Sequence, residues 1–228
     1  MEIEASYIKE VSKVSKTNIV SGYSQTEEKI IVDYSDYNSS EIRNIPYDEA
    51  KENYVQIKEQ IKLLREGDLT RDERTDLMVT DMQLARLDLN NNDNFNKATY
   101  ETMRNMDNPI NSLWFLSELG TNLQDYYYGK DITASFQSTD AYTSNHTDKE
   151  LNEVQLSNIN VDDFIDKMLA TFTDDYASAK SGTIKEQYKG IVDGYSSFKE
   201  NYDKAVTEPY YAWFKRLKKK RDKTPPLF

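Results

Sequence analysis

The chain has 228 residues, 37% hydrophobic and 30% charged, with 40 acidic against 29 basic side chains and a net charge of −11. An acidic balance of this kind excludes a general nucleic-acid binder, because phosphate contacts need Lys and Arg. With no cysteine, disulfides, thiolate metal sites and cysteine nucleophiles are excluded too, and no apolar run nears the roughly 18 residues of a membrane span. No charged n-region followed by an apolar stretch marks a secretion signal at the start. The expected compartment is therefore the cytoplasm, with export by a route that leaves no cleavable signal as the alternative.

Residues 1–45 are rich in Ser, Thr, Asn, Lys and Glu. They read as a flexible polar arm, since so little apolar area cannot offset the entropy of ordering it. Within the arm, Ile3, Tyr7, Val11 and Val14 have helical spacing, and Ile30, Ile31 and Val32 could form a short strand.

Pro46 marks the first clear helix start, and the helical domain is expected to span 46–214. Tyr47, Ala50, Tyr54, Ile57, Ile61 and Leu64 follow at steps of three and four residues, the a/d spacing of a helix with one narrow apolar seam. Gly67 is expected to stop this helix in the left-handed region. The stretch IPYDEAKENYVQIKEQI resembles a set of uncharacterised helical proteins of flagellated, epsilon-class bacteria, in which a polar arm precedes an Ile-Pro-Tyr helix start. The resemblance covers about 20 residues and implies a helical fold; it carries no function, cofactor or residue role.

Thr70 and Glu73 have the spacing of a capping box and open a helix whose expected apolar face is Leu77, Met78, Met82, Leu84, Ala85 and Leu89. An Asn-rich link, Asn90 to Asn94, leads to a shorter helix with Phe95, Ala98, Met103 and Met106. Asn108-Pro109 then opens the most apolar segment, with Ile110, Leu113, Trp114, Phe115, Leu116, Leu119 and Leu123, stopped at Gly129. A helix apolar on most sides is buried on most sides, so it is placed at the centre. Residues 130–147 form a polar connection holding Phe136 and Tyr142. A helix over 161–179 presents Val161, Ile165, Met168, Phe172, Tyr176 and Ala179.

From Thr183 to Val206 the apolar residues Ile184, Tyr188, Ile191, Tyr195, Phe198, Tyr202 and Ala205 recur at steps of four and three. This is a second narrow-seam helix, roughly 36 Å long. Pro209 is expected to begin a last segment, ahead of a basic tail over 215–228. Lys215, Arg216, Lys218, Lys219, Lys220, Arg221 and Lys223 stand there against the single Asp222. The tail could contact an anionic partner or an anionic membrane. Its simpler reading is a helix end whose cations suit the dipole, so the membrane is not the favoured partner.

The candidate sites are few. His146 with Asp148 and Glu150 could ligate a metal, but Thr147 and Glu150 explain the spacing as a capping box. Asn90, Asn92, Asn94 and Glu101 fall on a calcium-loop template that puts Phe95 where Gly is needed. Asp162, Asp163, Asp166, Asp174 and Asp175 read as a solvated helix face. No cofactor or metal is therefore expected. Gly190 and Gly194 share one face of the late helix, where they either admit another helix or weaken a surface.

No phosphate loop, dinucleotide fingerprint or nucleophile elbow is found. A single histidine and no cysteine remove most nucleophilic and general-base schemes, leaving carboxylate- or Lys-based catalysis open. The sequence thus describes an all-α antiparallel bundle of five to seven helices. It reads as a non-enzymatic protein working through protein–protein contact or self-association. Its expected interaction seam pairs Tyr54, Ile57, Ile61 and Leu64 with Tyr188, Ile191, Tyr195, Phe198 and Tyr202, within one chain or between two. Tyrosines at a seam suit a half-wet surface. The alternatives are a secreted or appendage-associated export substrate and a carboxylate- or metal-dependent enzyme; a deep pocket lined by Asp or Glu would favour the enzyme.

Overall fold

The computed structural model describes residues 13–17, 26–30, 33–88, 91–137, 159–180 and 182–221, with side chains between 33 and 208. Two short strands, β1 (Lys13–Thr17) and β2 (Thr26–Ile30), pair antiparallel with Lys13 opposite Ile30. Eight helices follow among the described residues: α1 (Ser39–Arg43), α2 (Tyr47–Glu52), α3 (Tyr54–Arg65), α4 (Arg71–Leu84), α5 (Asp93–Asn105), α6 (Pro109–Tyr127), α7 (Val161–Ser178) and α8 (Gly182–Arg221). The architecture is an all-α bundle, as expected. No helix among the described residues is long and apolar enough to cross a membrane.

The expected arm ends earlier than residue 45. Tyr34, Ile42 and Ile45 are buried in the body. Asn38 and Glu41 form a reciprocal capping box that opens α1, and Gln60 Nε2 donates to the carbonyls of Ser35 and Tyr37. A five-residue helix is too short to show a period, so the polar composition hid it. The remainder of the arm, outside the two strands, lies outside the described residues.

Two apolar clusters make up the core. The first gathers α1, α2, α3 and part of α4 around Ile42, Tyr47, Ile57, Ile61, Leu77 and Leu84. The second gathers α6, α7 and α8 around Phe115, Leu119, Phe164, Phe172, Tyr195 and Phe198. Between them stands α5, which gives Tyr100 to the first cluster and Phe95, Ala98 and Met103 to the second. A helix buried on both flanks is the partition of the bundle. That role was expected for α6, but α6 buries its later turns and leaves Ile110 and Trp114 exposed at its start.

This division overturns the expected pairing of the two seams. Ile57 and Ile61 lie in the first cluster and Tyr188, Ile191, Tyr195, Phe198 and Tyr202 in the second, so the seams face different neighbours. The early seam is also interrupted. Asn53, at φ −116° and ψ 24°, separates α2 from α3 and turns Tyr54 outward, to 41% exposure. Leu64 packs only partly buried at the edge of its cluster.

Polar side chains fix how the helices meet. The Tyr47 hydroxyl donates to the Leu87 carbonyl or the Asp93 carboxylate, at 3.0 and 2.8 Å, and the Tyr47 amide donates to Glu101. Tyr100 donates to the Ile45 carbonyl. The Arg43 guanidinium, buried beside the end of α5, donates to the carbonyls of Met103 and Met106. Asn201 on α8 donates to Thr102 on α5. The buried face of α4 differs from the expected one for the same reason. Val79, Thr80 and Gln83 are inside while Met78 and Ala85 face out, and two polar positions in a core cannot be read from apolar spacing.

Local signals hold elsewhere. The Thr70–Glu73 capping box is present, and Lys58 reaches Asp81 across α3 and α4. Gly129 ends α6 at φ 67°, the left-handed stop that glycine accepts without strain. Gly67 is not in that region; α3 ends instead through Glu66, whose amide donates to the carbonyls of Leu63 and Leu64. Pro209 does not begin a new segment, since α8 runs unbroken from Gly182 to Arg221. Its first residue is Gly182, one before Thr183, where the late helix is expected to begin.

Candidate functional site, a carboxylate-lined cleft

The site is built on the crossing of α6 and α8. At Gly194 the two helices are in direct contact: a Cβ added there would lie 2.8 Å from Phe115 Cδ2, closer than packed atoms tolerate. One turn earlier the helices diverge, and a Cβ at Gly190 would meet nothing within 4 Å. The glycine pair singled out in the sequence thus has two roles, one a contact and the other an opening.

The divergence leaves a cleft of about 990 Å³. Trp114 and Phe115 form its α6 wall, Gly190 and Ile191 its α8 wall, and Met106 and Phe136 close two further sides. Trp114 is 56% exposed, so about half of a large aromatic surface is open to solvent. Asp107, Glu118, Glu186 and Asp193 supply the ionisable groups of the lining, and no Lys or Arg is among its described residues. A volume in this range, with aromatic walls and a few polar groups, is typical of small-ligand sites.

Glu118 sits deepest, 4% exposed. Its carboxylate accepts from the Ser135 amide at 2.9 and 3.1 Å and from the Ser135 hydroxyl. Asn122 Nδ2 donates to it at 3.3 Å and to the Tyr195 hydroxyl at 3.0 Å. Burial pushes the Glu118 carboxyl above the usual range, against the opposing effect of the Ser135 and Asn122 bonds. Burial likewise pushes the Tyr195 hydroxyl well up.

The sign for stability follows from linkage. A carboxyl with a raised folded-state pKa binds its proton more tightly in the fold than in the unfolded chain. Stability therefore falls as pH rises past the ordinary Glu value of 4.5, until the folded-state group ionises. Glu118→Gln is expected to flatten that decline, since an amide can still accept from the Ser135 amide and has no charge to bury. The check is urea denaturation at pH 4 to 8: a slope unchanged in the variant would show that Glu118 does not cause it.

The other expected candidates go elsewhere. Asn92 caps α5 by accepting from the Phe95 amide, Asn94 lies in that helix, and Glu101 is engaged by the Tyr47 amide and Arg104. Helical backbone from Asp93 to Asn105 removes the calcium-loop geometry. Asp163 accepts from the Tyr126 hydroxyl and Asp166 pairs with Lys199. His146, Asp148 and Glu150 lie outside the described residues, as do Asn90 and the side chains of Lys215, Arg216, Lys218, Lys219, Lys220 and Arg221, together with Lys223. Among the described residues no three of His, Cys, Asp and Glu come together as metal ligands do.

The aromatic seam residues on α8, from Tyr188 to Tyr202, pack inside the chain, while Ile191 also lines the cleft. The Tyr195 ring stacks on Phe172 at 5.9 Å and meets Phe115 and Phe164 edge-on. Phe198 meets Phe95, Phe115 and Tyr202. A surface so used is not available to a second molecule. Apolar spacing places Trp114 in a central helix buried on most sides and singles out no role for Glu118; the one available signal is the Gly190–Gly194 pair. In comparisons with known proteins, no family model matches the chain, and no curated protein or solved structure matches it either.

Proposed function

We propose that the chain is a non-enzymatic binding protein that works through the α6–α8 cleft rather than through its heptad-like seams. The observation that carries this reading is the half-exposed Trp114 standing in a cleft of about 990 Å³, beside a Phe115 ring that is buried. Large aromatics exposed in a concave site are the usual anchors of recognition.

Gly190 provides the test, because a side chain there enters the cleft and meets no neighbour. Wild type and Gly190→Leu are to be heated with and without the small-molecule and peptide fraction of a lysate of the source cells. The wild type is expected to gain a few degrees in melting temperature by mass action and the variant none. Equal shifts in the two proteins, or none in either, would sink the cleft as the binding site.

A second reading, carboxylate catalysis, draws support from the acidic lining and from Glu118, whose raised pKa suits a general acid. Yet both Glu118 oxygens are already held by Ser135 and Asn122. Asp107 and Glu186 have no described side chain orienting them, as catalytic groups require. Binding is therefore preferred over turnover.

A further inference from the structure

Taking the cleft as the binding site, we infer that its ligand is an organic cation: ammonium or guanidinium groups carried on an aliphatic stem. The described lining has ionisable groups of one sign only: Asp107, Glu186 and Asp193 at the surface of the cleft, with Glu118 buried behind them. Asp193 is partly offset by Lys189 at 3.4 Å and Asp107 by the field of the Arg43 guanidinium, whereas Glu186 forms no ion pair with any described residue. Carboxylates of one sign along a cleft add their fields in the opening and concentrate cations there, even when each is solvent-exposed. The exposed face of Trp114 adds a second attraction, since an indole ring binds cations through its quadrupole. Met106, Phe136 and Ile191 offer apolar contact to a stem between charges.

The spacing argues against a bare metal ion. Glu186 and Asp193 are two turns apart on α8, roughly 10 Å, and the acidic groups do not gather into a metal-ligand set among the described residues. Dispersed charges with apolar surface between them match a ligand with separated cationic groups. Such groups occur on a free polyamine or on the Lys and Arg side chains of a protein segment.

The experiment uses the full chain with Trp213→Phe. The sequence has two tryptophans, so Trp114 is then the only indole emitter. Spermidine and a capped Lys-Arg-Lys tripeptide are the cationic probes; triethylene glycol and glutarate are the neutral and anionic controls. A saturable change in Trp114 emission is expected with a cationic probe. Affinity should weaken about tenfold in the Asp107→Asn, Glu186→Gln double variant and fall as salt rises. Response to spermidine alone identifies a free amine, and response to the tripeptide alone identifies a partner's side chains; both support the inference. It is overturned if neither cation saturates, or if the double variant binds them equally well. Saturation by triethylene glycol or glutarate in place of the cations would overturn the charge assignment and leave the cleft as the site. Cation binding unchanged by Gly190→Leu would remove both.

Discussion

Phe198→Ala is expected to lower the stability of the fold by about 4 kcal/mol, in the range for deleting a fully buried aromatic ring. The ring has 0% exposure and lies 5.2 Å from Phe95 in an edge-to-face arrangement, with Phe115 at 6.0 Å and Tyr202 at 6.4 Å. Those neighbours come from α5, α6 and α8, so they cannot all collapse into the space without moving helices. The cost should therefore include a cavity as well as lost transfer energy. Urea denaturation measures it, as a lower midpoint at unchanged slope. A loss below about 1.5 kcal/mol, the scale of a tolerated core swap, would mean that α8 does not pack as described. Because the seam closes the second cluster within one chain, the loss should not depend on protein concentration.

Gly194→Leu is expected to cost about 3 kcal/mol, at the upper end for overpacking, while Gly190→Ala raises stability by roughly 0.5–1 kcal/mol. The two glycines share one helix and one face, so helix propensity alone predicts a gain from either. What separates them is the 2.8 Å approach of Phe115 to the Gly194 position, against open space at Gly190. The Phe115 ring is itself held against Tyr195 and Phe198, so it has little room to yield. Thermal or chemical denaturation of both variants checks the contrast. Stabilisation by both substitutions would remove the α6–α8 contact on which the cleft depends.

Much of the fold is legible from residues within one turn of each other. The steps of three and four from Tyr188 to Tyr202 specify a helix with one apolar face, and that face is buried. The Thr70–Glu73 capping box and the Gly129 stop are likewise local, and the structure has both. The misreadings have physical causes. Asn53 breaks the early seam with a backbone conformation that no apolar spacing reports. The buried face of α4 includes Thr80 and Gln83, because hydrogen bonds make polar groups acceptable in a core: Gln83 donates to the Arg43 carbonyl and Thr80 to the Asp76 carbonyl. Pro209 removes one amide donor, yet the helix continues through it.

The candidate site was less legible. Trp114 and Glu118 lie one turn apart on the same helix, both within its most apolar stretch, and the sequence offers no sign that one is half exposed and the other deeply buried. Their difference comes from the short segment around Ser135, which covers Glu118 with an amide and a hydroxyl, and from the divergence of α8 at Gly190. Where the main helices lie, which residues cap several of them, and the burial of the late seam can be read from the residues alone, because these follow from contacts a few positions apart. Packing between distant helices sets α5 between two clusters, puts the two seams in different clusters, and opens a cleft beside Trp114. Those outcomes depend on pairs such as Thr102 with Asn201 and Phe95 with Phe198, about a hundred residues apart. Such pairings are fixed by shape and hydrogen bonding between helices, quantities that no local period encodes.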